Sequence, residues 1–413
     1  MPSQLFKHAD TSAQRADVNA HTLRVLLVLS ALMSFASVST DLYLPALPAL
    51  ATQFHTNPGR VELTISSFLI GFSLGQLLWG PLSDRYGRRL PIVIGLLLFV
   101  LGSLGCAESQ TVWQMVNWRI VQALGACAGP VIARAKVRDL YAKEQSAKML
   151  STLISIMAIA PLLGPILGGQ ILRFWSWHVI FWSLAAVGLV MIMALQALPE
   201  SLAPQRRSQV SLTAMFSGYL SLLRSRRLLK YAIAGGFFYG GAYAFIAGTP
   251  FSYISYYQVP AQLYGLLFGV NILGIMAANY LNTLLLKHVS SDRLFRIGTA
   301  IAAVTALGVA INTYFGWGGL WRIAIPVFFF MAMNGLIVAN SVASALNDFP
   351  QQAGSASALL GAMHYGSGIL SAALVGWFDD GTPWTMGWII GACGVGCWLA
   401  ARSPTALKTE PAV

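Results

Sequence analysis

Two ionisable side chains stand where apolar residues surround them: Asp41 in the first long apolar run and Arg119 in the fourth. A carboxyl group in such a place can take up a proton and release it, whereas an arginine stays charged throughout. Either charge costs about 2.5–3.5 kcal/mol at the centre of a membrane span, so it normally faces a partner, water or a functional path. Asp41 has polar company. Ser30, Ser34, Ser37 and Asp41 recur at helical spacing and fall within a narrow arc of one helix. Gln122 lies on the face of Arg119. An occluded cavity favours a neutral acid and water favours its carboxylate, so alternating exposure of Asp41 can couple proton movement to a conformational change. Arg119 is then expected to stabilise the anion or to organise hydrogen bonds beside it.

The elements that must hold these groups are membrane helices. The chain has 413 residues, 56% hydrophobic and 10% charged, with a mean hydropathy of +0.65. Soluble domains carry about 25% charged residues. Apolar segments occur at about 23–47, 61–82, 90–107, 111–133, 148–172, 177–198, 231–257, 263–286, 294–314, 320–345, 355–377 and 384–402. At about 20 residues per span, each is long enough to cross a bilayer. An even number of spans puts both termini on one side. Of 26 basic residues, all but Arg60, Arg119, Arg173 and Arg322 fall in the tails and even-to-odd connections, which marks that face as cytoplasmic. The net charge of +12 is therefore an orientation signal and not a nucleic-acid footprint. The connection with Asp348 carries no basic residue and is the exception. The expected organisation is a cytoplasmic tail (1–22), a six-helix bundle (23–198), a cytoplasmic linker (199–230), a second six-helix bundle (231–402) and a cytoplasmic tail (403–413). The polar start argues against a cleaved signal peptide. Cys106, Cys127, Cys393 and Cys397 lack metal-ligand or disulfide-framework spacing, so no metal or cofactor is expected. Two six-span halves suit a machine that rocks about a central site.

Between the second and third spans lies GPLSDRYGRR, which resembles the signature loop of the major facilitator superfamily, G-x-L-x-D-R-x-G-R-R, at Gly80, Leu82, Asp84, Arg85, Gly87, Arg88 and Arg89. The glycines permit a tight turn, and the charges can pair with one another and with helix ends. The resemblance implies that this cluster latches the cytoplasmic side during a transport cycle. The stretch Arg119 to Gly125 is similar to the family's fourth-helix motif, whose arginine is implicated in proton coupling. In the fifth span, Ala160–Gly169 resembles the G-x-x-x-G-P-x-x-G-G motif of the exporting, antiporter branch at Gly164, Pro165, Gly168 and Gly169, with Ala160 replacing the first glycine. Small residues there let helices approach closely, and the proline bends the helix. The stretches Thr40–Pro48 and Ser176–Trp182 resemble bicyclomycin- and chloramphenicol-resistance (Bcr/CflA-type) drug:proton antiporters, in which Asp41 would take the place of the first-helix proton-site acid. The implied fold is all-α, twelve transmembrane helices in two six-helix bundles.

Substrate clues are fainter. Phe237, Phe238, Tyr239, Tyr243, Phe245 and Tyr253 crowd the seventh span beside glycines and could stack flat, apolar molecules. Asn271, Asn282, Asn334 and Asn340 add amides that need partners, either other helices or substrate. Ser34, Ser37, Gln122, Tyr239, Tyr243, Asn271 and Asn334 are the candidates for lining a substrate cavity. His364 reads as a hydrogen-bonded structural histidine, and Glu62 as a residue favouring the N-terminal dipole of the second span. The expected function is proton-coupled efflux of small amphiphilic molecules, multidrug efflux included, by a functional monomer in the bacterial cytoplasmic (inner) membrane. Its partners are the small-molecule substrate, protons and the lipid bilayer, with no nucleic acid. The alternative is a proton-linked transporter of a metabolite such as a purine nucleoside, amino acid or sugar. A membrane-embedded enzyme would require a nucleophile or metal constellation at one depth, which Asp41, Arg119 and His364 do not form.

Overall fold

The computed structural model describes residues 24–196, 198–209, 219–316, 318–346, 349 and 352–403. The N-terminal tail expected over 1–22, Asp348, part of the linker and all of the C-terminal tail beyond Ser403 lie outside the described residues.

Backbone polar groups in hydrocarbon must be satisfied internally, and the chain does so with helices. They are α1 (Arg24–Gln53), α2 (Pro58–Tyr86), α3 (Arg89–Ala107), α4 (Val112–Leu140), α5 (Met149–Phe174) and α6 (His178–Leu195) in the first half. The second half contains α7 (Arg226–Pro250), α8 (Ala261–Leu285), α9 (Ser291–Phe315), α10 (Gly319–Leu346), α11 (Ala353–Trp377) and α12 (Trp384–Arg402). Eleven of these are long and apolar enough to cross a membrane. The other, α7, is as long as its neighbours, but its glycines and tyrosines lower its mean hydropathy, and it ends in a π-helical turn over Phe251–Tyr256.

Several spans overshoot their apolar segments. The helix α4 runs on to Leu140 and α7 begins at Arg226, because basic residues at a helix end can reach the interface while their backbone stays helical. Ser225 and Asn57 cap α7 and α2 by accepting from the backbone N–H groups of Leu228 and Arg60. Glu62 does not serve the dipole as expected, since α2 starts at Pro58 and Glu62 lies beyond the first turn, buried.

Within the halves, α2 and α3 pack on α4, and α7 and α9 pack on α12. Across the halves, α2 packs along α11, and α5 along α8. Each seam joins the second helix of one bundle to the fifth of the other, so a pseudo-two-fold axis between the bundles relates them. Helix α1 is broken beside its acid. Regular helix ends at Asp41, and a short 3₁₀ turn, Leu44–Ala46, precedes a second segment, Leu47–Gln53. Pro45 explains the break, because it lacks the N–H that would bond the carbonyl of Asp41.

Candidate functional site

A cavity of about 160 Å³ lies where the two halves meet. Helix α1 contributes Ser37, Thr40 and Asp41, α2 contributes Phe68 and Phe72, and α5 contributes Pro161. From the other half come Tyr239 and Tyr243 on α7, Phe268 and Ile272 on α8, Asn334 on α10 and Tyr365 on α11. Among the described residues that line it, Asp41 is the one charged group. The rest of the wall is mainly apolar, with aromatic residues from both halves among aliphatic ones. Phe72 meets Tyr365 edge-on with ring centroids 4.6 Å apart, and Tyr239 lies 5.8 Å from Tyr365.

Of the residues proposed from sequence to line a cavity, Ser37, Tyr239, Tyr243 and Asn334 do so, and Ser34, Gln122 and Asn271 do not. Ser34 donates to the Ser30 carbonyl of its own helix. The Asn271 amide donates to Leu267 and Phe268, one turn back. Gln122 is fully buried inside the first half, where it donates to Ser103 Oγ and accepts from Arg119. Helical spacing fixes a face but not its neighbour: Gln122 turns into a helix–helix contact, while Ser34 and Asn271 bond the backbone of their own helices. Asn282 and Asn340 also serve packing, joined by a 2.7 Å bond between α8 and α10.

Arg119 sits behind the cavity wall, wholly buried. Its Nη1 donates to the carbonyl of Ser39 at 3.0 Å and to Gln122 Oε1 at 2.6 Å. Its guanidinium carbon lies 4.3 Å from the ring centroids of both Tyr43 and Phe68, a double cation–π contact. The Tyr43 hydroxyl in turn bonds Thr64 of α2. Asp41 and Arg119 form no ion pair among the described residues. The guanidinium instead holds the backbone two residues before the acid and the ring of Phe68, which lines the cavity. His364 also departs from expectation, for its Nε2 is buried without a partner and its ring stacks 4.8 Å from Tyr239.

The signature loop is tied to partners that the motif itself does not contain. Gly87 adopts φ +89°, a left-handed conformation that favours glycine, and so turns the chain from α2 into α3. Arg88 pairs with Asp84 and, through Nε at 2.8 Å, with Asp139 at the end of α4. Glu200, just beyond α6, accepts from the backbone N–H groups of Arg88 and Arg89 at 3.0 and 2.9 Å. Burial works to raise the Glu200 carboxyl, but those N–H groups, that of Leu202 and the charge of Lys136 outweigh it and hold the group below its ordinary range. Ser201 completes the cluster by donating to Asp139. Gly80 leaves open space beside it, while Arg85 lies over the ring of Tyr86.

The glycine-rich stretch of α5 packs against the broken part of α1. A methyl group at Gly168 would sit 1.9 Å from the Leu42 carbonyl oxygen, and one at Gly164 would sit 2.9 Å from Asp41 Cβ. Pro165 lies within the same helix, beside Gly164. Gly169 faces the other half, 2.7 Å from the Ala261 carbonyl oxygen by the same measure. From α8, Gly265 meets the backbone of Pro165 and Ile166. On the second seam the backbones of Gly59 and Gly376 are in direct contact. The halves therefore close tightly on the side opposite the signature loop.

The family model of the Major Facilitator Superfamily matches residues 27–372. The chain belongs to that superfamily. It is 32% identical to a bicyclomycin resistance protein homolog of Haemophilus influenzae over 91% of this chain and 94% of that one. It is 30% identical to a chloramphenicol resistance protein of Pseudomonas aeruginosa, covering 87% and 85% of the two chains. Among solved structures, the xylose transporter of E. coli in a partially occluded, inward-open conformation superposes with a TM-score of 0.71 at 18% identity, covering 92% and 96%. The fold is thus the twelve-helix, two-bundle fold of a multi-pass membrane transporter, and the proteins of this family and fold are transporters of small molecules rather than enzymes.

Sequence reasoning missed Asp139, Glu200 and Tyr365. The first two carried a signal, as acidic residues at the ends of the fourth and sixth spans facing a basic face. Tyr365 carried none, being one aromatic residue among many.

Proposed function

We propose that this protein exports small amphiphilic molecules in exchange for protons by alternating access. The observation that carries the reading is the cavity shared by both halves, mainly apolar with aromatic rings contributed from each half, and bearing Asp41 as its one charged lining residue among those described. Aromatic faces suit flat apolar ligands, and a lone carboxylate suits either a proton or a cationic group, in competition. At about 160 Å³ the cavity is smaller than the roughly 300–1,000 Å³ of sites that enclose a drug-sized ligand, so the halves must part to admit one. The relatives named for bicyclomycin and chloramphenicol resistance support drugs as the substrate class.

Asp41 is the proton-coupling acid, and Arg119 positions it through the Ser39 carbonyl and the Phe68 ring. The cluster of Asp84, Arg88, Asp139 and Glu200 braces the cytoplasmic face of the first half, and Arg85 and Arg89 add to its basic surface. The glycines of α5 hold α1 and α8 close on the outer side. The protein works as a monomer in the bacterial inner membrane, with both termini in the cytoplasm, and the domain limits are those given by the apolar segments. The tight outer side corresponds to an inward-facing state.

Proton flux in proteoliposomes tests this directly. A panel of antibiotics, dyes and nucleosides is added to wild type and Asp41→Asn under an imposed pH gradient. Drugs should dissipate the gradient in wild type and fail in the variant. Dissipation by nucleosides or other metabolites alone refutes the drug reading, and full activity in Asp41→Asn refutes the role of the acid.

A further inference from the structure

A pair of carboxyl groups meets on the outer side, away from the cavity. Glu62 of α2 is 1% exposed, and its Oε2 has no hydrogen-bond partner. It lines a small pocket of about 70 Å³ together with Asp379 from the α11–α12 connection, and Ser252, Ser255, Tyr256, Thr382 and Thr385 are its other polar lining residues. The pocket lies on the seam between the halves. A methyl group at Gly376 would sit 3.4 Å from Glu62 Cβ, and one at Gly59 would sit 3.2 Å from Asp379 Cβ. The glycine contact thus delivers one carboxyl group from each half to the same place.

We propose that Glu62 and Asp379 share one proton across the two halves, forming a second protonation site that clasps the outer side shut. Glu62 is buried and Asp379 half-buried; two carboxylates brought together with little water between them repel, and a single proton between them turns repulsion into a hydrogen bond. Among the described residues no cation faces the pair. On its own helix Arg60 is exposed, on α1 Tyr43 is engaged by Thr64 and Arg119, on the end of α7 Tyr256 lines the pocket, and the loop adds Asp380, a further negative charge. No basic residue is among those lining the pocket. Burial, joined by Asp380, raises the Asp379 carboxyl above its ordinary range despite hydrogen bonds from the N–H groups of Gly381 and Gly59. Loss of the proton frees two like charges on opposite halves and drives the outer side open, and uptake from an acidic exterior closes it.

The inference rests on the rocking of the two halves and not on the role of Asp41. Pulsed electron paramagnetic resonance of the purified full chain, without substrate, separates the two. Labels at Thr52→Cys and Trp321→Cys, both exposed and on opposite halves of the outer side, report the separation. As pH rises, the long-distance population should grow several-fold in the labelled parent and stay at its acidic level in Glu62→Gln and Asp379→Asn. Asp41→Asn should retain the response. A Glu62→Gln protein that follows pH like its parent, or a parent whose separation ignores pH, overturns the clasp. Loss of the response in Asp41→Asn alone also overturns it, while leaving the central acid as the proton site. Closure by sodium at alkaline pH would assign the pocket to a metal cation and overturn the proton assignment.

Discussion

Gly265→Ala perturbs the seam between halves, and Gly168→Ala perturbs packing within one. The methyl group at Gly265 would lie 2.5 Å from Ile166 N and 2.7 Å from Ile166 Cα and Pro165 C, all backbone atoms that cannot rotate away. Comfortable contact needs about 3.5–4.0 Å, so α8 must withdraw from α5 by about 1 Å. Overpacking of this kind costs about 1–3 kcal/mol. The cost falls only on the outward-closed state, because α5 and α8 belong to different halves, and it converts to a shift of about 5- to 150-fold toward outward-open. The methyl at Gly168 meets Leu42 of the same half, whose packing on α5 persists whichever way the halves rock. Gly168→Ala should therefore lower thermal stability with little conformational bias. Ser37→Cys, inside the cavity, provides the readout through its labelling rate with a membrane-impermeant thiol reagent added from outside. Gly265→Ala should accelerate labelling by the stated factor, and Gly168→Ala should not. Equal rates in all three proteins would refute the assignment of the α5–α8 seam as the outer closure.

Asp41→Asn should insert normally and reduce proton-coupled transport to the protein-free background in proteoliposome flux. Arg119→Lys keeps the charge but loses the planar fork between the Tyr43 and Phe68 rings, so its melting temperature should fall, and that of Arg119→Ala should fall further. Each lost partner of a buried polar group costs about 1–3 kcal/mol. Because the folded-state carboxyl of Glu200 titrates below its ordinary value, its stabilisation is complete above that value and disappears as pH falls through the lowered one. The difference in melting temperature between wild type and Glu200→Gln should shrink in acid. Tyr239→Ala should weaken binding of aromatic substrates measured by ligand-induced stabilisation, whereas Asn271→Ala, away from the cavity wall, should leave that binding unchanged.

Helix number and the basic face were legible in the sequence because both are local: a span needs about 20 apolar residues, and orientation follows counted charges. Asp41 was legible because a charge in an apolar run is rare and costly. The faces of Ser34, Gln122 and Asn271 were legible as polar, but what they face was not. Periodicity assigns a direction on a helix, and only the packing of all twelve decides whether that direction meets cavity, neighbour or lipid. The signature loop was visible as a motif, yet two of its anchors, Asp139 and Glu200, lie 51 and 112 residues from Arg88.

The sequence by itself determined the membrane fold, its two six-helix halves and the presence of an acid in the first span, since each depends on composition within a single helix length. The tertiary structure decided which groups meet: Asp41 with the aromatic rings of the second half, Arg119 with a carbonyl and two ring faces, and Glu62 with Asp379 from the far end of the chain. Those meetings arise from seams between the bundles, where glycine backbones touch across more than 300 residues of sequence, as at Gly59 and Gly376. No short-range pattern encodes such a contact, because its energy depends on how closely two helices from different halves can approach.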